Sequence, residues 1–276
     1  MEGSGAVEEP ARDSKKDEGD IAAEETAAEA VGDVGPDEEI PARGPAAYVA
    51  EFIGTFALVL FVTWAVSEFV AAPVSQGPNL PQVQPFIDFG VIGLVHVFVL
   101  FMLIQTLAVV SGAHFNPAVT LALFAIRQIR AIDAAIYVVV QLAGAVCGAL
   151  VTKLILDKLD NADAVNFGAV KVSEALDKST GLGMLVEGIG TFFLVWAIVG
   201  VAVNPHGFRE WAGLVIGATL GFLVMVAAPL TGAGFNPARA FGPDLVAGSF
   251  DGGGKFLLVY VLAPLLGAVL AAFTSR

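Results

Sequence analysis

The chain has 276 residues, of which 56% are hydrophobic and 15% charged, with a mean hydropathy of +0.77. A soluble domain carries about a quarter charged residues, so a chain this apolar argues against a water-soluble enzyme. The formal net charge is −13, and residues 1–46 hold 14 acidic and 4 basic residues. Nucleic acid requires a basic surface, so we expect no nucleic-acid partner. The single cysteine, Cys147, excludes an intramolecular disulfide and a cysteine-cluster metal site.

The first segment of the chain, residues 1–45, is rich in Glu, Asp, Ala and Gly and contains no aromatic residue. Such a segment cannot bury enough apolar surface to offset the entropy of ordering, so we predict an acidic disordered tail. No apolar core follows a basic start, so we do not expect a secretory signal peptide. A regulatory or partner-binding role for the tail stays open.

The rest of the chain contains six apolar stretches, each long enough for a helix that crosses ~30 Å of hydrocarbon. The stretches are 46–71, 86–108, 132–156, 183–203, 211–231 and 254–275. Two shorter apolar stretches follow Asn116 and Asn236, and helices of about 8–10 residues there would rise only ~12–15 Å, half of a bilayer. Non-helical backbone at membrane depth is tolerated where protein or water surrounds it. We therefore predict an all-α membrane protein with six transmembrane helices and two re-entrant half-helices.

The apolar region is an internal duplication. The segment AEFIGTF at 50–56 recurs as VEGIGTF at 186–192, and GAHFNPA at 112–118 recurs as GAGFNPA at 232–238. Each half contains three spans, an odd number, so the second half must enter the membrane from the opposite face. The sequence thus predicts a membrane domain over 46–276 built as an inverted repeat, with one copy at about 46–156 and the other at about 183–275.

Each repeat carries the motif Asn-Pro-Ala at the start of its short segment, and the six residues are Asn116, Pro117, Ala118, Asn236, Pro237 and Ala238. Asparagine is a strong N-cap, and proline suits the first helical position because its missing N–H has no helical partner there. We expect both half-helices to present their positive ends near the middle of the membrane. We also expect capping to leave each asparagine NH₂ free to face a pore.

These paired motifs, with Arg239 directly after the second one, resemble the signatures of the major intrinsic proteins, the aquaporins and glycerol facilitators. The resemblance covers roughly residues 46–275. It implies the aquaporin fold, a homotetramer in the lipid bilayer with one pore per subunit, and both termini in the cytoplasm. It implies a multi-pass protein of the cell (plasma) membrane that needs no cofactor or metal.

The resemblance also implies an outer constriction, and spacing to the motifs assigns it to His96, Val224, Ala233 and Arg239. Water-selective members usually have an aromatic residue in the second span and a histidine in the fifth. Here the histidine stands in the second span and a valine in the fifth, so we expect a wider constriction. The resemblance further implies that Glu51 and Glu187 hold the re-entrant loops, and we expect His114 to support the first of them.

We therefore predict a passive channel for water, and for small neutral solutes such as ammonia and hydrogen peroxide, that excludes protons and ions. Ala240 stands where glycerol facilitators commonly have an aspartate after the filter arginine, which favours water. A glycerol or urea facilitator of the same family stays open as an alternative. A secondary transporter is a further alternative, since inverted repeats with broken helices also build transporters. A structural protein with an occluded pore is another.

Overall fold

The computed structural model describes residues 39–69, 88–158 and 166–275. The predicted acidic tail therefore lies outside the described residues over 1–38. In the described part of the chain, six helices are long and apolar enough to cross a membrane. They are α1 Pro45–Phe69, α2 Phe89–Ser111, α4 Ala131–Leu156, α5 Thr180–Val203, α6 Arg209–Thr231 and α8 Gly253–Thr274. Each predicted span begins and ends within three residues of one of these helices.

The two short helices are α3, Pro117–Ala125, and α7, Pro237–Ala247, with 9 and 11 residues. Each begins at the proline of an Asn-Pro-Ala motif, and the asparagine before it is the N-cap. Because a helix rises 1.5 Å per residue, neither is long enough to cross a bilayer alone. The predicted fold class, an all-α membrane protein with six spans and two half-helices, is confirmed.

The helices pack according to the duplication. The first and third spans of each repeat lie together, as α1 with α4 and α5 with α8, and the second spans α2 and α6 pack across the repeats. Each half-helix packs on the third span of the other repeat, α7 on α4 and α3 on α8. The two repeats therefore interlock and build one body.

Glycines allow two of these helix pairs to approach closely. A Cβ at Gly144 would lie 2.5 Å from the Phe52 carbonyl oxygen, and one at Gly217 would lie 2.6 Å from the Val97 carbonyl oxygen. Both distances are too short for a real side chain, so larger residues would push α4 off α1 and α6 off α2. Small residues at such crossings are typical of helices that pack within membranes.

The re-entrant loops before the two half-helices have the same backbone conformation. The helices α2 and α6 end at Gly112 and Gly232, which have φ of 86° and 80°. The loop residues before each motif are also left-handed, and they are Ala113, Phe115, Ala233 and Phe235. Left-handed non-glycine residues are uncommon and persist only where surrounding contacts hold them. Those contacts come from the buried side chains of Glu51 and Glu187, which accept hydrogen bonds from the loop backbone.

Candidate functional site

The half-helix starts are fixed by their asparagines. The Asn116 side-chain oxygen accepts a hydrogen bond from the Ala118 N–H at 2.8 Å. The Asn236 oxygen accepts from the N–H groups of Ala238 at 2.9 Å and Arg239 at 3.2 Å. These bonds satisfy N–H groups that have no partner inside a helix. All these residues are buried, so the positive helix ends face the interior of the protein.

The asparagine NH₂ groups are not wholly free, which corrects the expectation from sequence. The Asn116 Nδ2 donates to the Phe235 carbonyl oxygen, and the Asn236 Nδ2 donates to the Phe115 carbonyl oxygen, each at 2.9 Å. The two loops enter from opposite sides and meet tip to tip, so each amide reaches the backbone of the other repeat. An NH₂ group has two hydrogens, and each asparagine therefore keeps one donor beyond this bond.

The first loop is held by Glu51 of α1, which is fully buried. Its Oε1 accepts from the Ser111 hydroxyl at 2.7 Å and the His114 N–H at 2.9 Å. Its Oε2 accepts from the Phe115 N–H at 2.7 Å and the Gln141 side chain at 2.8 Å. A carboxylate accepts bonds at both oxygens and donates none, so four converging donors suit it.

The second loop is held in the same way by Glu187 of α5, also fully buried. The Thr231 hydroxyl and the Gly234 N–H donate to its Oε1 at 2.6 and 2.9 Å, and the Phe235 N–H donates to Oε2 at 2.6 Å. Charge-assisted bonds of this kind are stronger than neutral ones. The glutamates thus stabilise the backbone conformations that bring the two motifs together.

His114 occupies a place that has no counterpart in the second loop, where Gly234 stands. Its Nδ1 lies 3.1 Å from the Thr120 hydroxyl, and its ring packs edge-on against Tyr137 with centroids 5.1 Å apart. The histidine side chain is 6% exposed and lines a cavity of about 750 Å³ between the helices. It links the first loop to α3 and α4.

Two cavities between the described helices share lining residues. The larger has a volume of about 750 Å³ and reaches from Arg43 and Arg209 at one end, past both motif asparagines, to His96 and Arg239. The smaller has a volume of about 260 Å³ and is lined by the loop at 166–173. His96 and Arg239 line both cavities, so the two spaces meet at these side chains.

The four residues of the predicted outer constriction converge at this junction. Ala233 lines the larger cavity and Val224 the smaller, beside the shared His96 and Arg239. The His96 Nδ1 lies 2.8 Å from the Ile92 carbonyl oxygen, which can only accept. In the neutral ring Nδ1 therefore carries the proton, and Nε2 remains an acceptor. The wall combines a donor, an acceptor and two small apolar side chains.

Arg239 is 4% exposed and is oriented by a loop that the sequence analysis did not identify. Its Nη1 donates to the Gly168 carbonyl oxygen at 3.0 Å. Gly168 has a φ of 80°, and a Cβ there would lie 3.1 Å from the Thr63 Cα. A glycine in a polar loop is a common and unspecific pattern, so the sequence offered only a weak signal for this contact.

No group of three or more His, Cys, Asp or Glu side chains within residues 39–69, 88–158 and 166–275 could hold a metal ion. The site is instead a path between buried helix ends, lined mostly by apolar side chains, with polar groups at the motif asparagines, His96 and Arg239. The model of the family "Major intrinsic protein" matches residues 43–275. The chain is a major intrinsic protein. As members of this family are channels, the chain is a multi-pass membrane channel and not an enzyme.

Curated relatives of this major intrinsic protein carry names from both branches of the family. The chain is 37% identical over 229 residues to "Glycerol uptake facilitator protein-like 6" of Lactiplantibacillus plantarum, covering 83% of this chain and 96% of the relative. It is 33% identical over 244 residues to "Aquaporin AqpM" of Methanothermobacter thermautotrophicus, covering 83% and 95%. The relatives of this chain thus include both a protein named as a glycerol facilitator and one named as an aquaporin.

A solved structure supports the fold. The X-ray structure of the aquaglyceroporin from Plasmodium falciparum superimposes on this major intrinsic protein with a TM-score of 0.68. The match covers 83% of this chain and 93% of the other, at 21% sequence identity. At that identity the likeness establishes the aquaporin fold alone.

Proposed function

We propose that this chain forms a passive pore for water that also passes small neutral solutes such as ammonia and hydrogen peroxide, and that excludes protons and ions. The observation that carries the proposal is the junction of the two cavities at His96 and Arg239. Together the cavities give a path lined mainly by apolar side chains, with fixed hydrogen-bond donors and acceptors at the junction.

The centre of the path supports passage of neutral molecules with lone pairs. Asn116 and Asn236 each keep one N–H after bonding to the opposite loop, and a water molecule can accept from both. Each half-helix adds about half a positive charge at its N-terminus, which opposes a cation or a hydronium ion. Aquaporin-type selectivity is generally described in these terms, as pore width, lining donors and helix dipoles.

The outer constriction supports a solute range broader than water alone. Arg239 supplies only donors, and its buried charge repels cations. His96 supplies an acceptor at Nε2, while Val224 and Ala233 add little bulk on the remaining wall. Ammonia and hydrogen peroxide are slightly larger than water and carry lone pairs, so they fit this wall. Ammonium has no lone pair and meets the Arg239 charge.

We also propose that the membrane, the oligomeric state and the orientation of this protein are those expected for its family. We place the protein in the plasma membrane as a homotetramer, with both termini in the cytoplasm, residues 1–45 as a tail and residues 46–276 as the channel domain. Many large apolar side chains of the described helices are exposed on the isolated chain, among them Val109, Leu154, Val139 and Val226. Lipid or neighbouring subunits would cover them.

A glycerol facilitator is the second candidate, favoured by the name of the Lactiplantibacillus plantarum relative. Glycerol needs an apolar wall for its carbon chain beside donors and acceptors for its hydroxyls. Val224 offers a small apolar surface of that kind, whereas His96 makes the opposite wall polar. This arrangement favours water and small solutes over glycerol.

Stopped-flow light scattering on proteoliposomes tests the proposal, with water, glycerol, urea, ammonia and hydrogen peroxide compared at equal protein density. We expect rapid water, ammonia and hydrogen peroxide flux with little glycerol flux. The double variant Val224→His with His96→Phe should narrow the constriction and restrict passage to water.

Two results would overturn the proposed wide constriction. Wild-type protein that passes water but excludes ammonia and hydrogen peroxide would refute the wide constriction, and so would a double variant with the wild-type solute profile. Glycerol flux comparable to water flux would support the second candidate. Saturable flux with a steep temperature dependence would indicate a transporter cycle instead of an open pore.

A further inference from the structure

We infer that Asp244 is a specificity-determining positioning residue, which sets the orientation of Arg239 through the backbone of the loop at 168–170. The inference rests on the proposed pore and concerns how its outer constriction is held. Asp244 lies on the same half-helix as Arg239, five residues further on, and does not line either cavity. Its hydrogen-bonded connection to the outer constriction therefore runs through a neighbour.

The neighbour is the loop that also holds Arg239. The Asp244 Oδ2 accepts a hydrogen bond from the Val170 N–H at 3.1 Å, and Gly168, two residues earlier, accepts from the Arg239 Nη1 at 3.0 Å. A short stretch of backbone is thus bonded to a carboxyl group at one end and a guanidinium at the other. Moving Val170 would move the Gly168 carbonyl and release the guanidinium.

The surroundings of residue 244 are energetically unfavourable for an aspartate, so its presence there calls for a compensating role such as holding the loop. The side chain is fully buried, and its Oδ1 has no hydrogen-bond partner among the described residues. A buried carboxylate with an unsatisfied oxygen is costly. Asp244 also lies in the last turn of α7, where the negative end of the helix dipole disfavours an anion.

The duplication supplies an internal comparison. Counting from the motif asparagines, Val119 of the first repeat corresponds to Arg239, and Phe124 corresponds to Asp244. Phe124 is 41% exposed and apolar, so the half-helix scaffold itself requires no carboxylate at this place. The arginine and the aspartate occur together in the repeat that supplies three of the four constriction residues, and both are absent from the corresponding places in the other repeat.

A neighbouring carboxylate provides a matched control. Asp251 accepts from the Val172 N–H at 3.1 Å, so it anchors the same loop two residues beyond Val170. It forms an ion pair with Lys255 at 2.9 Å, and its hydrogen bond to Val172 is not one of the two bonds that connect Asp244 to Arg239. Removing it should loosen the loop without redirecting the guanidinium.

The test measures the ratio of glycerol to water permeability in proteoliposomes. Asp244→Ala removes the acceptor for Val170, and we expect the ratio to rise by about threefold or more, since one hydrogen bond is lost. Asp244→Asn keeps a carbonyl oxygen for Val170 and should stay within about twofold of the wild type. Asp251→Ala should leave the ratio at the wild-type value. In an Arg239→Ala background, Asp244→Ala should add no further change, because coupled residues are not additive.

The inference is overturned if assembled Asp244→Ala protein keeps the wild-type ratio, or if Asp251→Ala raises the ratio equally. An additive effect in the Arg239→Ala background would also overturn it. If Asp244→Ala does not assemble, Asp244→Leu fills a similar volume without an acceptor and is measured in its place. Failure of both to assemble would make Asp244 a purely structural residue and reject the inference. Wild-type water flux is recorded in the same vesicles: its absence refutes the proposed pore, whereas normal flux with an unchanged ratio refutes only the role of Asp244.

Discussion

Replacement of Glu51 by glutamine tests whether the re-entrant loops depend on a buried acceptor. The substitution keeps the size of the side chain and exchanges one oxygen for an NH₂ group. Four donors converge on the carboxylate. One donor at each oxygen is a backbone N–H, that of His114 at Oε1 and that of Phe115 at Oε2. Whichever way the amide is turned, one backbone N–H faces another donor.

The magnitude follows from these contacts. A buried N–H left without a partner costs about 1–3 kcal/mol, and a hydrogen bond to a charged group contributes about 1.5–3 kcal/mol. Glu51→Gln should therefore destabilise the fold by roughly 2–5 kcal/mol, since the Ser111 hydroxyl and the Gln141 amide can partly readjust. For a chain of this size that lowers the melting temperature by an amount on the order of 10 °C. Water permeability should fall too, because the loop sets the position of Asn116.

The assay combines thermal unfolding in detergent with proteoliposome water flux. Glu68→Gln is the matched control, because Glu68 lies near the other end of α1 and its bond to the Trp64 indole is exposed. We expect that variant to behave like the wild type. Glu51→Gln protein that melts and conducts like the control would refute the role of the carboxylate as the anchor of the loop.

Three further predictions concern the pore and the tail. Arg239→Val should raise proton flux under a pH gradient, because it removes a buried positive charge from the junction of the cavities; an unchanged leak in assembled protein would argue against that barrier. Mercury should inhibit the wild type weakly, since the single thiol, Cys147, does not line either cavity, whereas Ala233→Cys should create inhibition of water flux. Strong inhibition of the wild type, lost in Cys147→Ser, would contradict this. Deleting residues 1–38 should leave unit water permeability nearly unchanged, because Arg43, which lines the cavity mouth, is retained; a several-fold change at equal protein density would make the tail a gate.

The sequence predicted those features that depend on local patterns. Hydropathy and length predict the spans, and the asparagine and proline of each motif predict where the half-helices α3 and α7 begin. The duplication predicts that these starts meet. Each of these inferences needs only residues near one another in the chain, together with the symmetry of the two copies.

Contacts between distant parts of the chain cannot be predicted from local sequence patterns. The bond of Asn116 to the Phe235 carbonyl joins residues 119 positions apart, and the bond of Arg239 to Gly168 joins residues 71 apart. Each depends on loop conformations that tertiary packing imposes. The same packing determines that Gly54 and Gly190 receive the rings of Phe115 and Phe235, where any Cβ would overlap the ring. No local periodicity encodes such a pairing.

The reciprocal bonds of the two asparagines have a consequence for the covalent link between the two repeats. Each repeat completes the loop of the other, so the chain behaves as a two-fold dimer whose partners happen to be covalently joined. Two separate polypeptides, one for each repeat, would present matching loop tips and matching grooves for the half-helices. Co-expressed as a pair, they should therefore recognise one another and rebuild the pore, while either one alone would leave its asparagine amide and its loop carbonyl without a partner.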